Sequence, residues 1–172
     1  MTSALLDRFR WVDGHADVWA VFRDRDALAA VVRALAEPFR DAGVTAVCGI
    51  ESRGFLLGGA VAVELGAGFV AVRKADGLFP GEKLVRETAP DYRGRRHLLR
   101  MQRSALAAGD RVLLVDDWIE TGSQALALRE LVTEAGAELA GCAVLVDQLD
   151  PAMRSRLGRV HGVVAAGDLP PG

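Results

Sequence analysis

Two adjacent carboxylates, Asp116 and Asp117, stand between the apolar run 112–115 and the small polar loop Thr-Gly-Ser at 121–123. A buried strand that stops at these acids would deliver both to the carboxyl edge of a sheet, where ligands bind in open α/β folds. Backbone N–H groups, hydroxyls and a helix N-terminus after them suit a phosphate dianion. Acids for hydroxyls or a metal beside a phosphate cradle predict a sugar-phosphate site. The alternative is an ordinary strand, turn and helix with an aspartate cap.

A second motif, Glu-Ser-Arg-Gly-Phe at 51–55, follows an apolar run and precedes a helical pattern. Backbone amides at a strand–glycine–helix junction can hold an anion, and Arg53 adds a permanent positive charge. By itself this motif is weak, because an arginine at a helix start is usually only solvated. Together with the first motif it predicts a second phosphate site on the same sheet edge.

The elements that must position these motifs alternate between apolar β-branched runs and helical patterns from about residue 25 onward. This alternation predicts an open, mainly parallel, twisted α/β sheet flanked by helices. The predicted strands are 44–50, 69–73, 112–115, 140–146 and 160–165. The predicted helices are 26–41, 55–65, 123–135 and a short one after Pro151. Pro38 is expected to bend or shorten the end of the first helix.

Between residues 74 and 96 the pattern lapses, and Gly, Pro, Asp, Arg and Glu dominate. A structureless loop of this length inside a compact domain is usually functional or disordered. A disordered insertion is one interpretation. The position of this segment beside the proposed site favours a second interpretation, a flexible lid of residues 75–96 that closes over a ligand.

The composition of the 172 residues, 51% apolar and 26% charged with a net charge of −2, predicts a single globular domain. It gives no case for a nucleic-acid partner. The longest apolar stretch, 55–72, is interrupted by Glu64 and by glycines, so no membrane span is expected. Cys48 and Cys142 lie in apolar surroundings and are expected to be buried and reduced. The N-terminus lacks the apolar core of a signal peptide, so a cytoplasmic location is predicted.

Residues 112–124 resemble the PRPP (5-phosphoribosyl 1-pyrophosphate) signature of type I phosphoribosyltransferases. That signature has four apolar residues, two acids, two apolar residues and a small Thr-Gly loop. This chain departs from it at three positions. Trp118 replaces an aliphatic residue, Glu120 replaces a small residue, and Gln124 replaces a hydroxyl-bearing or small residue.

Residues 51–64, with Gly-Ala-Gly-Phe at 66–69 and Val-Arg-Lys at 72–74, resemble adenine phosphoribosyltransferases in particular. Phe-Arg-Asp at 22–24 matches that family's hood over the base. The resemblance spans about residues 18–146, with separate motifs in the right order. It implies the type I fold, with a small hood made by residues 1–25 and the C-terminal segment. It also implies transfer of ribose 5-phosphate from PRPP to a purine, adenine first, with release of pyrophosphate, Mg²⁺ as cofactor and a homodimer.

The resemblance also implies roles for individual residues around PRPP. The pyrophosphate loop would be Glu51, Ser52, Arg53 and Gly54. Further pyrophosphate contacts would come from Arg73 and Lys74. The ribose hydroxyls, and through PRPP and water the Mg²⁺, would be held by Asp116 and Asp117. The 5′-phosphate would be held by Thr121, Gly122 and Ser123, chiefly through backbone N–H groups. Glu120 and Gln124, which depart from the signature, belong to the same substrate-binding loop.

For the base, the resemblance implies stacking on Phe22 and recognition of the purine edge by Val21 and Arg23. The lid acid of the family corresponds to Asp91, which joins Arg53 and the acid pair as a catalytic candidate. Simpler interpretations stay open, since Phe22 can be a core residue and Arg23 can pair with a neighbouring acid.

Several departures leave the acceptor open. Lys83 is only a possible substitute for the family's lid lysine, and the aliphatic wall below the base falls near Gln148 or Leu149. Glu120 is expected to face away from the phosphate, toward solvent, Arg129 or the ribose and metal region. Two alternatives to an adenine enzyme follow. One is a non-catalytic sensor of PRPP or a nucleotide on the same fold, and the other is a transferase for a different base.

Overall fold

The computed structural model of the protein describes residue 6 and residues 8–74 and 79–170. In chain order its strands are β1 (Trp11–Val12), β2 (His15–Ala16), β3 (Ala46–Ile50), β4 (Gly68–Val72), β5 (Lys83–Glu87), β6 (Leu98–Gln102), β7 (Arg111–Ile119), β8 (Glu138–Asp147) and β9 (Val160–Ala165). Its α-helices are α1 (Trp19–Arg23), α2 (Arg25–Ala36), α3 (Arg53–Leu65), α4 (Ser123–Glu134) and α5 (Pro151–Leu157).

The central sheet has five strands in the order β4-β3-β7-β8-β9, and every neighbouring pair is parallel. Both of its faces are covered, which is why these strands are nearly continuous apolar runs. Val47 and Leu113 point to one core with α2 and α3, whereas Cys48 and Leu114 point to a second core with α4. The predicted parallel α/β sheet is therefore confirmed.

The prediction that the β7 strand stops at the acid pair is wrong. Strand β7 continues to Ile119, with Asp116 opposite Val144 and Trp118 opposite Val146 of β8. The acids do not end the strand, because backbone pairing with the long strand β8 satisfies the β7 main chain on both sides of them. The predicted effect of Pro38 is confirmed, since α2 ends at Ala36 and a 3-10 turn, Glu37–Phe39, follows.

The prediction of a structureless segment at 74–96 is also wrong for part of its length. Strand β5 pairs antiparallel with β6, and β6 is bridged to β4 through Arg73 and Arg100. Only Leu84 of β5 is buried, so this strand shows little apolar alternation in the sequence. Residues 75–78 of the expected lid lie outside the described residues. Whether 75–96 closes over a ligand stays a prediction.

The N-terminal segment lies against the C-terminal segment. The β1-β2 hairpin precedes α1, and the indole N–H of Trp11 donates a hydrogen bond of 2.7 Å to the carbonyl oxygen of Pro170. Such a contact is what a hood built from both chain ends requires. Within the described ranges, no helix combines the length and apolarity that a membrane crossing needs.

Candidate active site

A cavity of about 840 Å³ opens at the carboxyl edge of the central sheet. It is bounded by the ends of β3 and β7, by the turn after β8, by the segment between β5 and β6, and by the β1-β2 hairpin. The predicted site residues that line it are Glu51, Ser52, Arg53, Lys74, Asp91, Asp116, Asp117, Glu120, Thr121, Gly122 and Gln124. The fold therefore brings both predicted phosphate motifs and the acid pair into one cavity.

The acid pair is held by its own backbone and by Arg53. Oδ1 of Asp116 accepts a hydrogen bond from the backbone N–H of Asp117 at 2.9 Å. Nε of Arg53 lies 3.0 Å from Oδ2 of Asp117 as an ion pair, without the geometry of a hydrogen bond. Burial, and then the negative charge of Asp117, raises the pKa of Asp116 well above its ordinary value, while the positive charge of Lys74 opposes that rise. Two acids so placed can accept hydrogen bonds from a pair of sugar hydroxyls.

Glu51, the first residue of the predicted pyrophosphate loop, binds the side chain of Arg73 and the backbone of Lys74. Glu51 accepts a hydrogen bond from Nη2 of Arg73 at 3.1 Å and another from the backbone N–H of Lys74 at 3.0 Å. Lys74 lines the cavity. Arg73 does not, because its guanidinium is paired with Glu51 and lies 5.8 Å from the ring centre of Phe79. Whether Arg73 contacts pyrophosphate stays a prediction, and such a contact would compete with its pairing to Glu51.

Close packing of backbone supports this loop. A Cβ on Gly49 of β3 would lie 2.1 Å from the carbonyl oxygen of Gly54, so only glycine lets helix α3 begin so near the strand. Gly54 itself lies under the acid pair, where a Cβ would be 3.1 Å from Oδ1 of Asp116. Gly54 thus spaces the loop from the acids and does not line the cavity.

The loop after β7 is the second predicted phosphate loop. Gly122 has φ +70° and precedes the first residue of α4, and a Cβ there would come 2.6 Å from Cγ of Met153. Thr121 Oγ1 donates to Ser123 Oγ at 3.1 Å and accepts from the backbone N–H of Ser123 at 3.4 Å. Ser123 is buried behind Thr121 and does not line the cavity. The N-terminus of the 12-residue helix α4 is left for a phosphate.

Two acids at the mouth of the cavity differ sharply in their bonding. Asp91 accepts hydrogen bonds from the backbone N–H groups of Arg93 at 2.8 Å and Arg95 at 2.9 Å, and its Oδ2 lies 3.1 Å from Nε2 of His97. These bonds, led by the one from Arg95, lower the pKa of Asp91. No described residue donates a hydrogen bond to the Glu120 carboxylate. Burial and then the charge of Asp91 raise the pKa of Glu120, against the effect of Arg93.

Arg129, one of the expected neighbours of Glu120, is not its partner in the structure. The Arg129 guanidinium donates instead to the backbone carbonyl of Arg156, and the charges that influence Glu120 are Asp91 and Arg93. The orientation of Glu120 relative to a bound phosphate stays a prediction.

The residues predicted to form the hood over the base do not line this cavity, and their contact with a base stays a prediction. Val21 and Phe22 are buried in the core, and Arg23 is exposed, with none of the three lining the cavity. Lining residues that had no predicted site role include Trp11, His15 and Ala16, and Trp118 and Gln148 also line the cavity. Trp118 and Gln148 stood out only as departures from the family pattern. Trp11 and His15 lie on two-residue strands, which are too short to show a period.

The acid pair fits the kind of metal site that needs a substrate to complete it. Within the described part of the chain, no cluster of three or more His, Cys, Asp or Glu residues could hold a metal ion by itself. Mg²⁺ typically keeps several waters and binds through one or two carboxylates together with substrate phosphates. Asp116 and Asp117 offer hard oxygen atoms of that kind in the cavity that both predicted phosphate loops line.

A parallel α/β sheet with these sites at one edge defines a class of sugar-phosphate enzyme. The model of the phosphoribosyl transferase domain family matches residues 19–163, and the chain belongs to the phosphoribosyltransferase family, with the type I fold.

Within that family the chain is similar to proteins named adenine phosphoribosyltransferase. It is 42% identical to the protein of that name from Streptomyces coelicolor over 154 residues. The aligned region covers 86% of this chain and 83% of that protein. The crystal structure of the Rhodothermus marinus enzyme has 38% identity and a TM-score of 0.85, covering 95% of this chain and 97% of that one. The Saccharomyces cerevisiae enzyme, solved with adenine and an imino-altritol bisphosphate, has 33% identity and a TM-score of 0.81, covering 94% and 97%.

Proposed function

We propose that this protein is a Mg²⁺-dependent purine phosphoribosyltransferase that transfers ribose 5-phosphate from PRPP to adenine and releases pyrophosphate. The observation that carries the proposal is one cavity lined by the acid pair, by the Arg53 loop and by the loop after β7. These groups match the diol, the pyrophosphate and the 5′-phosphate of PRPP in number and charge. The similarity to enzymes named for adenine supports the choice of acceptor.

The reaction breaks the bond between the anomeric carbon and the pyrophosphate oxygen, and the electron pair leaves with pyrophosphate. A purine ring nitrogen forms the new bond to that carbon and loses its proton. Positive character develops on the sugar and would be stabilised by Asp116 and Asp117. Negative charge develops on pyrophosphate and would be stabilised by Arg53 and Lys74, which line the same cavity. Asp116 and Asp117, together with PRPP, would hold Mg²⁺, which would supply further charge stabilisation to the leaving group.

The proton from the purine needs a carboxylate that is free to accept it. Asp91 was the expected acid, but it already accepts two backbone hydrogen bonds and contacts His97. Glu120 lines the same cavity without such bonds, and its raised pKa makes it the better acceptor. We therefore assign the proton transfer to Glu120. Asp91 instead positions the 88–97 segment through its hydrogen bonds.

The proposal includes closure of the site and assembly of the protein. An open site would let water intercept PRPP, so closure of residues 75–96 and of a hood from both chain ends belongs to the proposal. We also propose a homodimer in the cytoplasm, where the buried, unpaired thiols of Cys48 and Cys142 would stay reduced.

The experiment is a turnover assay of PRPP with a panel of adenine, hypoxanthine, guanine and pyrimidines, with and without Mg²⁺. Adenine should form nucleotide fastest, and chelation of the metal should abolish turnover. In parallel, Mg·PRPP should raise the melting temperature, because a ligand that binds only the folded state stabilises it. Binding without turnover of any base would favour the sensor, and faster turnover of another base would change the acceptor. If the folded protein neither binds Mg·PRPP nor turns it over, the enzyme and the sensor are both overturned.

A further inference from the structure

We infer that Trp118 and Gln148 form a pair that selects the base, in which the indole fixes the side-chain amide of Gln148 so that its NH₂ group donates to an acceptor on the purine. This inference rests on the proposed function and places the base beside Gln148 in the same cavity. It involves two side chains that depart from the family pattern, one in place of an aliphatic residue and one near the expected aliphatic wall.

The pair is joined by a direct hydrogen bond between the ends of neighbouring strands. Nε1 of Trp118 on β7 donates to Oε1 of Gln148 at 2.9 Å, and both residues line the cavity. Trp118 is partly buried and packs against the core on the α2 and α3 side of the sheet. Its ring is therefore held by packing, and its N–H has a defined direction.

The backbone of Gln148 is anchored on both sides. Its N–H donates to the carbonyl oxygen of Ile119 at 2.9 Å, which prolongs the pairing of β7 with β8. One residue later, the N–H of Leu149 donates to Oδ1 of Asp147 at 3.0 Å, and the Asp147 carboxylate also accepts from the Arg154 guanidinium. A side chain on so restrained a turn can be aimed at a ligand with little loss of entropy.

The chemistry of the indole decides which end of the amide is free. An indole N–H can only donate, so its partner on Gln148 has to be the carbonyl oxygen, and the NH₂ group is left as a pair of donors. No described residue accepts a hydrogen bond from this NH₂ group. The cavity therefore presents N–H donors to the base at this point.

The class of base follows from this polarity. A purine that turns a ring nitrogen or a carbonyl oxygen toward Gln148 gains a hydrogen bond, whereas an amino group in that place meets a second donor. Adenine would meet Gln148 with one of its ring nitrogens and not with its amino group. Because Gln148 is exposed, we expect its hydrogen bond to favour adenine over an analogue without the acceptor by only about tenfold, less than in a fully enclosed polar site.

The test compares Gln148→Glu, Gln148→Leu and Trp118→Phe with the wild type, using adenine and its 1-, 3- and 7-deaza analogues. In the wild type, one analogue should lose about tenfold in kcat/KM, because it lacks the acceptor. In Gln148→Leu that loss should disappear. Gln148→Glu should lower kcat/KM for adenine by about tenfold or more, and Trp118→Phe should reduce the analogue's loss by letting the amide rotate. The KM for PRPP and the melting temperature are the controls.

The pair is overturned if each analogue suffers the same loss in the wild type and in Gln148→Leu, or if no analogue suffers one, while adenine turnover persists. A wild type that forms no nucleotide from any purine would instead overturn the proposed function, and the inference with it. Variants that change the KM for PRPP as much as that for adenine would also overturn the inference, since the two residues would then support the whole site.

Discussion

Arg53 and Asp117 form an ion pair of 3.0 Å between the first residue of helix α3 and the buried second acid of β7. The pair links the predicted pyrophosphate loop to the predicted ribose site across two neighbouring parallel strands. Substitution of either residue should therefore weaken binding of both the pyrophosphate and the ribose of PRPP.

Arg53→Ala should weaken PRPP binding and also destabilise the protein without ligand. Removing one partner leaves the other charge buried and unpaired. Since the Arg53 side chain is 37% exposed, we expect a loss of about 1–2 kcal/mol in the free energy of unfolding, less than for a fully buried pair. Urea unfolding measures it. In Arg53→Ala combined with Asp117→Asn, the loss should be smaller than the sum of the two single losses, and strict additivity would contradict the coupling.

Asp116→Asn should stabilise the protein without ligand while impairing PRPP binding. The raised pKa of Asp116 means that folding favours its protonated form, so the ionised group costs stability when the pH lies above its folded pKa. That cost should disappear in the asparagine variant, whose Oδ1 can still accept from the Asp117 N–H. Melting temperature against pH measures the effect: the variant's advantage should shrink as the pH falls toward the ordinary pKa of aspartate. A less stable variant at neutral pH would contradict this assignment.

Glu120→Gln should lower kcat by about a hundredfold, in the range of a lost general base, whereas Asp91→Asn should act mainly through the order of the 88–97 segment. Because Glu120 must be ionised, kcat should fall as the pH drops through its raised pKa, and this acid limb should be missing in the variant. Rates across pH with saturating substrates test it. An unchanged acid limb in Glu120→Gln would assign the limb to another group.

Glu120→Ala should change the affinity for ribose 5-phosphate by less than about tenfold, because a phosphate held by backbone N–H groups does not require the side chain to face it. Titration calorimetry with ribose 5-phosphate measures the difference. A much larger gain on removal of the carboxylate would show that it opposes phosphate binding, and would speak against PRPP as the ligand.

Gly49→Ala should destabilise the protein and disturb the pyrophosphate loop, because its new methyl group would overlap the backbone of Gly54. Gly59→Ala is the matched control, since it lies within α3 and a Cβ there meets nothing within 4 Å. The control should gain stability, by up to about 1 kcal/mol, from helix propensity. Thermal unfolding and Mg·PRPP binding of both variants give the comparison. Equal behaviour of the two would refute the close approach of α3 to β3.

The order of residues along the chain was enough to predict the parallel sheet and the meeting of the two anion motifs with the acid pair. Apolar runs that alternate with helical patterns admit few architectures, and parallel strands end at the same edge. The 51–55 and 116–123 motifs are local, so each carries its own backbone geometry wherever the sheet places it. Even so, the end of β7 was misjudged, because pairing with β8 and not the polarity of Asp116 decides where that strand stops.

Only the tertiary structure decided which side chains line the cavity. Phe22 matches a hood motif yet is 7% exposed in the core, and Arg73 is occupied by Glu51, 22 residues away. Trp118 and Gln148 are hydrogen-bonded although they are 30 residues apart in the sequence, and no local pattern around either residue predicts this contact. Side-chain partners of this kind depend on the twist and register of packed elements and on competition for hydrogen bonds, which no short stretch of sequence contains.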